Sequence, residues 1–397
     1  MIRHLFKLVW NRKRTNLLIV AEIFCSFLVV FALVASGMFL YDRYTQPLGF
    51  ESDDVWYVTV ARNSASDWGQ WSAEEAATFR RLLQTLESMD RVVAAAGSNT
   101  APYMGSTHIT SWEYEGRKIE PEVSHVTPHF DRVVGLELVA GRWLQDEDHA
   151  LDWTPIVVDE DLARDLVGDG DPVGKRVSDE DERDRRVVGV VREYRRSGDL
   201  EERYPYMFAS AGLAGDESRP LQALLIKVTP GTEADFEERL VKTLQSIAHG
   251  WSFQVTQLPT ARDDYLRHRL IPMSAVAVVA GFLLIMVVLG LTGVMWQNVT
   301  RRTREIGLRR ATGAHRVRVQ RQIVGEVMVT ASLGLIIGWL LTIQVPLIGP
   351  FAFVPYSVVL PAMLLSSILI LILAAICGLY PGWSATRIHP AEALHYE

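Results

Sequence analysis

The stretch GDGDPVGK, residues 168–175, combines glycines, a lysine and acids in the manner of a phosphate-binding loop. The required G-x-x-x-x-G-K-[ST] spacing fails twice: Gly168 and Gly174 stand six apart, and Arg176 takes the place of the magnesium-binding hydroxyl. His125 and His129 are four apart, yet Pro128 between them disfavours one helix face carrying both. Neither H-E-x-x-H nor G-x-S-x-G occurs. The run DEDERD at 179–184 lacks calcium-ligand spacing and reads as a solvated hairpin tip. Both cysteines, Cys25 and Cys377, lie inside apolar runs, so thiol redox chemistry and zinc binding have no support. No residue is assigned a catalytic or metal-binding role, and no nucleic-acid partner is indicated.

The pattern that remains is basic rather than catalytic. Residues 301–326, RRTREIGLRRATGAHRVRVQRQIVGE, hold eight arginines against two acids in a chain whose formal net charge is −7. Glu305 and Arg309 stand at i,i+4 in the favourable order for a helix, and Gly307 and Gly313 punctuate the segment. Such a stretch reads as a docking element, with the coupling residues in its first half.

The elements that must position it are four apolar runs of membrane length, at about 17–40, 272–296, 324–345 and 358–379. Arg3, Lys7, Arg12, Lys13 and Arg14 precede the first run, which is too long for a cleavable signal peptide. The positive-inside rule then places residues 1–16, 297–323 and 380–397 in the cytoplasm, and residues 42–270 and the short 346–357 loop outside. Residues 42–270 carry 26 lysines and arginines against 42 acids, so the charge distribution supports the same topology.

Residues 2–14 read as an amphipathic helix, either lying on the inner leaflet or acting as a lever against a cytoplasmic partner. Glu22 is the acid that falls well inside an apolar run, and it either reaches the inner headgroups or pairs with a neighbouring helix. Gly334 and Gly338 have the small-xxx-small spacing that lets helix backbones approach.

In the external region DVWYVTVA (54–61) reads as a strand, followed by a helix over 73–89 entered through a Ser72–Glu75 capping box, and a strand at 92–98. ALLIKV (223–228), a helix over 232–247 and FQVTQL (253–258) repeat the theme. Two strand–helix–strand units therefore bracket an insertion at about 126–220, giving an α+β domain. Within the insertion, strands are expected at 155–158 and 186–195, with a short helix over 159–167.

REIGLRRATGAHR (304–316) resembles the cytoplasmic motif of MacB/FtsX-type permeases of ABC transporters, the mechanotransmission class. YPGWSATRIHPAEALHYE (380–397) resembles that family's closing motif, and 126–148 with 155–195 resemble the MacB periplasmic core domain. The resemblance implies a four-helix transmembrane protein with a large extracytoplasmic α+β domain, in which Porter-like strand–helix units carry a Sabre-like insertion. It implies a non-enzymatic subunit in the bacterial inner membrane, paired with a second permease, identical or a paralogue. ATP and magnesium would be bound by a separate ABC ATPase, because MacB's fused ATPase domain has no counterpart motif here; no cofactor is expected in this chain. Arg304, Glu305, Gly307, Arg309, Arg310, Gly313 and Ala314 are the implied ATPase-coupling residues, with Thr312 departing from the apolar residue expected there. A periplasmic adaptor and outer-membrane channel are the implied efflux partners; sensing or lipoprotein handling is the alternative within the family.

Overall fold

The computed structural model describes residues 13–62, 71–105, 108–114, 116–178, 184–201, 203–211, 220–232, 234–301, 308, 315–347 and 354–387. The chain divides into two compact units, Arg43–Arg269 and the pair Met1–Asp42 with Leu270–Glu397.

The external unit is built on one ten-stranded sheet. Its base comprises β1 (Val55–Ala61), helix α2 (Ala73–Glu87) and β2 (Val92–Ser98), and then β11 (Ala223–Val228), helix α5 (Ala234–Ile247) and β12 (Ser252–Gln257). These strands lie in the order β12-β1-β11-β2 with antiparallel neighbours. The two strand–helix–strand units therefore interlock as a split βαβ arrangement rather than standing side by side. Alternation along β1 divides its side chains between two cores. Trp56, Val58 and Val60 meet Phe79, Leu82 and Leu86 of α2 and Phe236, Leu240 and Leu244 of α5. Val55 and Tyr57 face a second core with Phe130, Tyr194 and Phe208.

The insertion begins before the expected residue 126 and prolongs the same sheet through β5 (Glu122–Val126), β10 (Tyr206–Ser210), β7 (Thr154–Asp159), β9 (Asp184–Val191) and β6 (Leu138–Gly141), with β8 (Arg176–Ser178) on β9. β10 runs parallel to β5, and β9 parallel to β7. The base and the insertion meet in the sheet at Ser98 and Val126. Helix α3 (Phe130–Val134) packs into the second core, whereas α4 (Glu160–Val167) covers β7 and β9 with Leu162 and Leu166. β3 (Trp112–Tyr114) and β4 (Arg117–Ile119) form a separate ribbon.

β9 is shorter than the apolar alternation suggests: it ends at Val191, so the strand expected over 186–195 is corrected at its C-terminal end. The physical reason is that Arg195 and Arg196 leave the sheet to bond carbonyls and a carboxylate elsewhere.

The second unit contains α1 (Lys13–Thr45), the greater part of α6 (Leu258–Arg301), α7 (Arg316–Thr342) and α8 (Tyr356–Arg387). Each contains a stretch long and apolar enough to cross a membrane. All four contribute to one apolar core, with Phe27 from α1, Leu291 from α6, Ala331 from α7 and Met363 from α8. Their other faces expose large apolar side chains, such as Val278 and Leu340, which suits a lipid solvent.

Candidate functional site

The residues assigned to ATPase coupling, Arg304, Glu305, Gly307, Arg309, Arg310, Gly313 and Ala314, lie outside the described residues. Their flanks are described. Helix α6 ends at Arg301, Leu308 is exposed, and α7 starts after His315, with Val317 and Arg318 exposed. The basic segment thus connects two membrane-length helices. Residues 1–12 of the expected amphipathic helix and 388–397 of the closing motif also lie outside the described residues.

Within the helical unit, the small residues and the acid meet specific neighbours. A methyl group on Gly334 of α7 would stand 3.0 Å from Ile23 Cγ2 and from the Val20 carbonyl oxygen of α1. One on Gly338 would collide with the Phe27 ring. The two glycines therefore form a groove that receives α1. Glu22 points its carboxylate into a second notch, where a methyl on Gly290 of α6 would collide with Oε1. The arrangement places Glu22 between helices, beside backbone. Across α7 and α8, Trp339 Nε1 donates to Ser367 Oγ at 2.8 Å.

The external unit holds a buried polar hub that sequence inspection missed. Arg196 is 2 % exposed, and its Nε donates to Glu122 Oε1 of β5 at 2.6 Å. Its Nη1 donates to the Met104 carbonyl at 2.7 Å. Beside this pair, Ser124 and Tyr206 share a hydroxyl hydrogen bond at 2.5 Å. Burial raises the Glu122 carboxyl above its usual range against the pull of Arg196, and raises the Tyr206 phenol. Nearby, Asp159 caps α4 by accepting from Leu162 N at 2.8 Å, and also accepts from Tyr206 N at 3.0 Å. Burial pushes its carboxyl up to about 8, outweighing those two donors.

Arg195 continues the hub. Nη1 donates to the carbonyls of Arg43 (2.9 Å) and Gln46 (3.2 Å), and Nη2 to those of Asp199 (2.8 Å) and Glu201 (2.9 Å). Asp199 accepts from Tyr103 Oη at 2.9 Å and from Arg262 Nη2 of α6 at 2.5 Å. Glu201 pairs with Arg269. A cleft of about 260 Å³ opens on this segment, lined by Glu122, Arg195, Ser197, Tyr204 and Tyr206 among others. The signal for the hub was present as two adjacent arginines, but single acids 74 residues away in sequence carry no visible pairing.

The remaining motifs resolve into structure. In GDGDPVGK, five amides are engaged within the fold: Gly168, Gly170 and Lys175 bond nearby carbonyls, Val173 bonds Asp171, and Gly174 bonds Val187 of β9. The loop is a sheet-docked turn, without the row of converging amides that cradles phosphate. His129 pairs with Glu87 at 2.8 Å, while His125 lies on β5. Asp184 pairs with Arg176 and Arg186; the rest of the acidic run at 179–183 lies outside the described residues.

Four membrane-length helices joined to one folded α/β domain define an integral membrane protein with a large extramembrane module. Comparison with known proteins refines that class. Residues 23–243 match the MacB-like periplasmic core domain, and residues 277–390 match the FtsX-like permease C-terminal region. The chain belongs to the MacB/FtsX-like ABC transporter permease family. Among relatives, it is 26 % identical over 337 residues to the macrolide export ATP-binding/permease protein MacB of Bordetella avium, covering 82 % of this chain and 50 % of that protein. It is 25 % identical over 415 residues to the protein of the same name from Hahella chejuensis, covering 99 % and 60 % respectively. The chain thus spans roughly half the length of these curated relatives. The periplasmic region of MacB from Actinobacillus actinomycetemcomitans aligns with 56 % of this chain and 96 % of its own, at 14 % identity and a TM-score of 0.40.

Proposed function

We propose that this chain is the permease subunit of an ABC transporter that converts ATP hydrolysis by a separate ATPase into movement of its external domain. The observation that carries the reading is the arginine-rich segment 301–326, which runs from the end of α6 into the first turns of α7 inside the FtsX-like match. A cationic, helix-patterned connection between two membrane helices suits a docking surface for a cytoplasmic partner. In this reading both termini and the segment face the cytoplasm, residues 42–270 face the periplasm, and the inner membrane holds a dimer of permeases. ATP and magnesium belong to the partner, and this chain acts by transmitting force. A periplasmic adaptor and outer-membrane channel would complete an efflux path, consistent with the export role in the relatives' names.

The test is purification of the tagged chain from its native membrane. An ABC ATPase in stoichiometric amount, with ATP hydrolysis, is the expected result. Glu305→Arg and Arg309→Glu should release that ATPase while the chain still inserts. Equal ATPase recovery with both charge reversals would overturn the docking assignment.

A further inference from the structure

The linker between β9 and β10 touches both chain passages that lead from the external unit into the apolar helices. Arg43 lies in the last turn of α1, and Arg195 binds its carbonyl together with that of Gln46 just beyond. A guanidinium at this position satisfies carbonyls left open by the end of the helix and complements the helix dipole. The Arg195 amide adds a bond to the Leu48 carbonyl at 2.9 Å, and Arg43 Nη1 returns one to the Glu201 carbonyl at 3.2 Å. Four residues later in the linker, Asp199 receives Arg262, and Glu201 receives Arg269, both from the first part of α6.

The linker's own conformation is fixed around these bonds. Gly198 has φ +116°, a conformation that side chains rarely adopt, and a methyl there would stand 2.9 Å from the rings of both Tyr103 and Tyr265. Those rings pack against each other at 5.5 Å. Arg196 anchors the other side of the linker to Glu122 of β5 and to the Met104 carbonyl. One short segment therefore contacts the end of α1, the start of α6 and the inserted strands, with Arg195, Arg196 and Asp199 themselves buried.

We propose that residues 195–201 form a joint that fixes the end of α1 and the start of α6 to the insertion, so that displacement of either helix reaches the inserted strands. Arg195 and Asp199 are its positioning residues: Arg195 holds carbonyls of the α1 end, and Asp199 holds Arg262. The source of the displacement rests on the permease reading; the grip is a property of the external unit and can be tested without any partner.

The test uses the full chain in nanodiscs, with Cys25 and Cys377 replaced by alanine. Spin labels go at Asp169→Cys on the insertion and His268→Cys on α6, both exposed positions. The distance distribution measured without nucleotide should be narrow in the parent. Arg262→Gln and Arg195→Met should each broaden it about twofold, as one packed arrangement gives way to several. Arg262→Lys keeps a donor for Asp199 and should stay close to the parent. Gly198→Ala leaves every charge in place and should shift the mean distance by forcing the tyrosine rings apart. Arg262 is partly exposed, so its variants are expected to fold, and circular dichroism checks this. A folded Arg262→Gln chain with an unbroadened distribution, together with an unshifted Gly198→Ala, overturns the joint while leaving ATPase recovery untouched. Broadening in a chain that recovers no ATPase supports the joint and removes the permease reading.

Discussion

The external unit and the helical unit place their polar residues by different rules. In the external unit, charge is buried and paired: Arg196 with Glu122, Asp199 with Arg262 and Tyr103. Water around this unit supplies a strong hydrophobic force for the apolar cores flanking the sheet, which offsets the desolvation of those groups. In the helical unit, large apolar side chains face outward, and lipid provides no comparable drive for helix to meet helix. Contact there depends on fit, with Gly334 and Gly338 receiving α1 and Gly290 receiving Glu22. The lesson is that a lost partner should damage the external unit most, whereas an added methyl group should damage the helical unit most.

The largest expected effect breaks the buried pair. Glu122→Ala leaves the buried Arg196 guanidinium without its carboxylate, which should cost about 3–5 kcal/mol. Calorimetry of the solubilised chain should show the external transition falling and the helical signal unchanged. Glu122→Ala with Arg196→Met should recover part of the loss. An unchanged transition in the single variant would mean that the pair contributes nothing.

A second buried acid sharpens the same contrast through pH. Asp159 has its folded carboxyl pushed up to about 8 by burial, against an unfolded value of about 3.9. The folded state then holds a proton that the unfolded state has released across this window. Its contribution is therefore fully present below about pH 4 and is lost as pH rises through 8. Asp159→Asn keeps an acceptor for Leu162 N and removes the charge, so the external transition should become flatter between about pH 4 and 8, the range over which the two states differ in protonation. An identical slope in the variant would place the titration elsewhere.

In the helical unit the corresponding experiment adds volume. Gly338→Val drives a branched side chain into the Phe27 ring and should destabilise α1–α7 packing by about 1–3 kcal/mol. Phe27→Ala should partly rescue it by opening the space. Disulfide cross-linking between α1 and α7 reads the contact directly. Loss of the external transition instead would erase the distinction between the two units.

Much of the scaffold was legible in sequence because the signals are local. Uninterrupted apolar runs mark the four helices, and short apolar runs with β-branched or aromatic residues mark β1, β7 and β11. The interlocking order β12-β1-β11-β2 was not legible, since pairing partners lie far apart in sequence and each strand alone fits several neighbours. The hub was hidden for a related reason: Arg195 and Arg196 look like solvated charges just past an apolar strand. Gly334 and Gly338 announced a close contact without naming its partner; Ile23 and Phe27 are supplied by packing. The arginine-rich segment is the reverse case, a pattern visible in the sequence whose residues 302–307 and 309–314 lie outside the described ones.

The smallest effect should come from an exposed polar cap in the external unit, where water can substitute for a lost partner. Ser72 Oγ accepts from Glu75 N at 3.2 Å, and Glu75 Oε2 accepts from Ser72 N at 2.8 Å, the reciprocal arrangement that the Ser72–Glu75 spacing predicts. Ser72→Ala removes one of these bonds and should lower stability by about 1 kcal/mol. Partial burial pushes the Glu75 carboxyl up, but the Ser72 amide and hydroxyl together with Arg62 bring it below its usual value. A depressed folded value means that the carboxylate's contribution is present above the unfolded value of about 4.3 and is lost as pH falls through the folded one. Acidification should therefore narrow the gap between the parent and Glu75→Gln, while the gap between the parent and Glu122→Ala stays wide at neutral pH. A cap variant as damaging as the loss of Glu122 would mean that burial is not what separates the two sites.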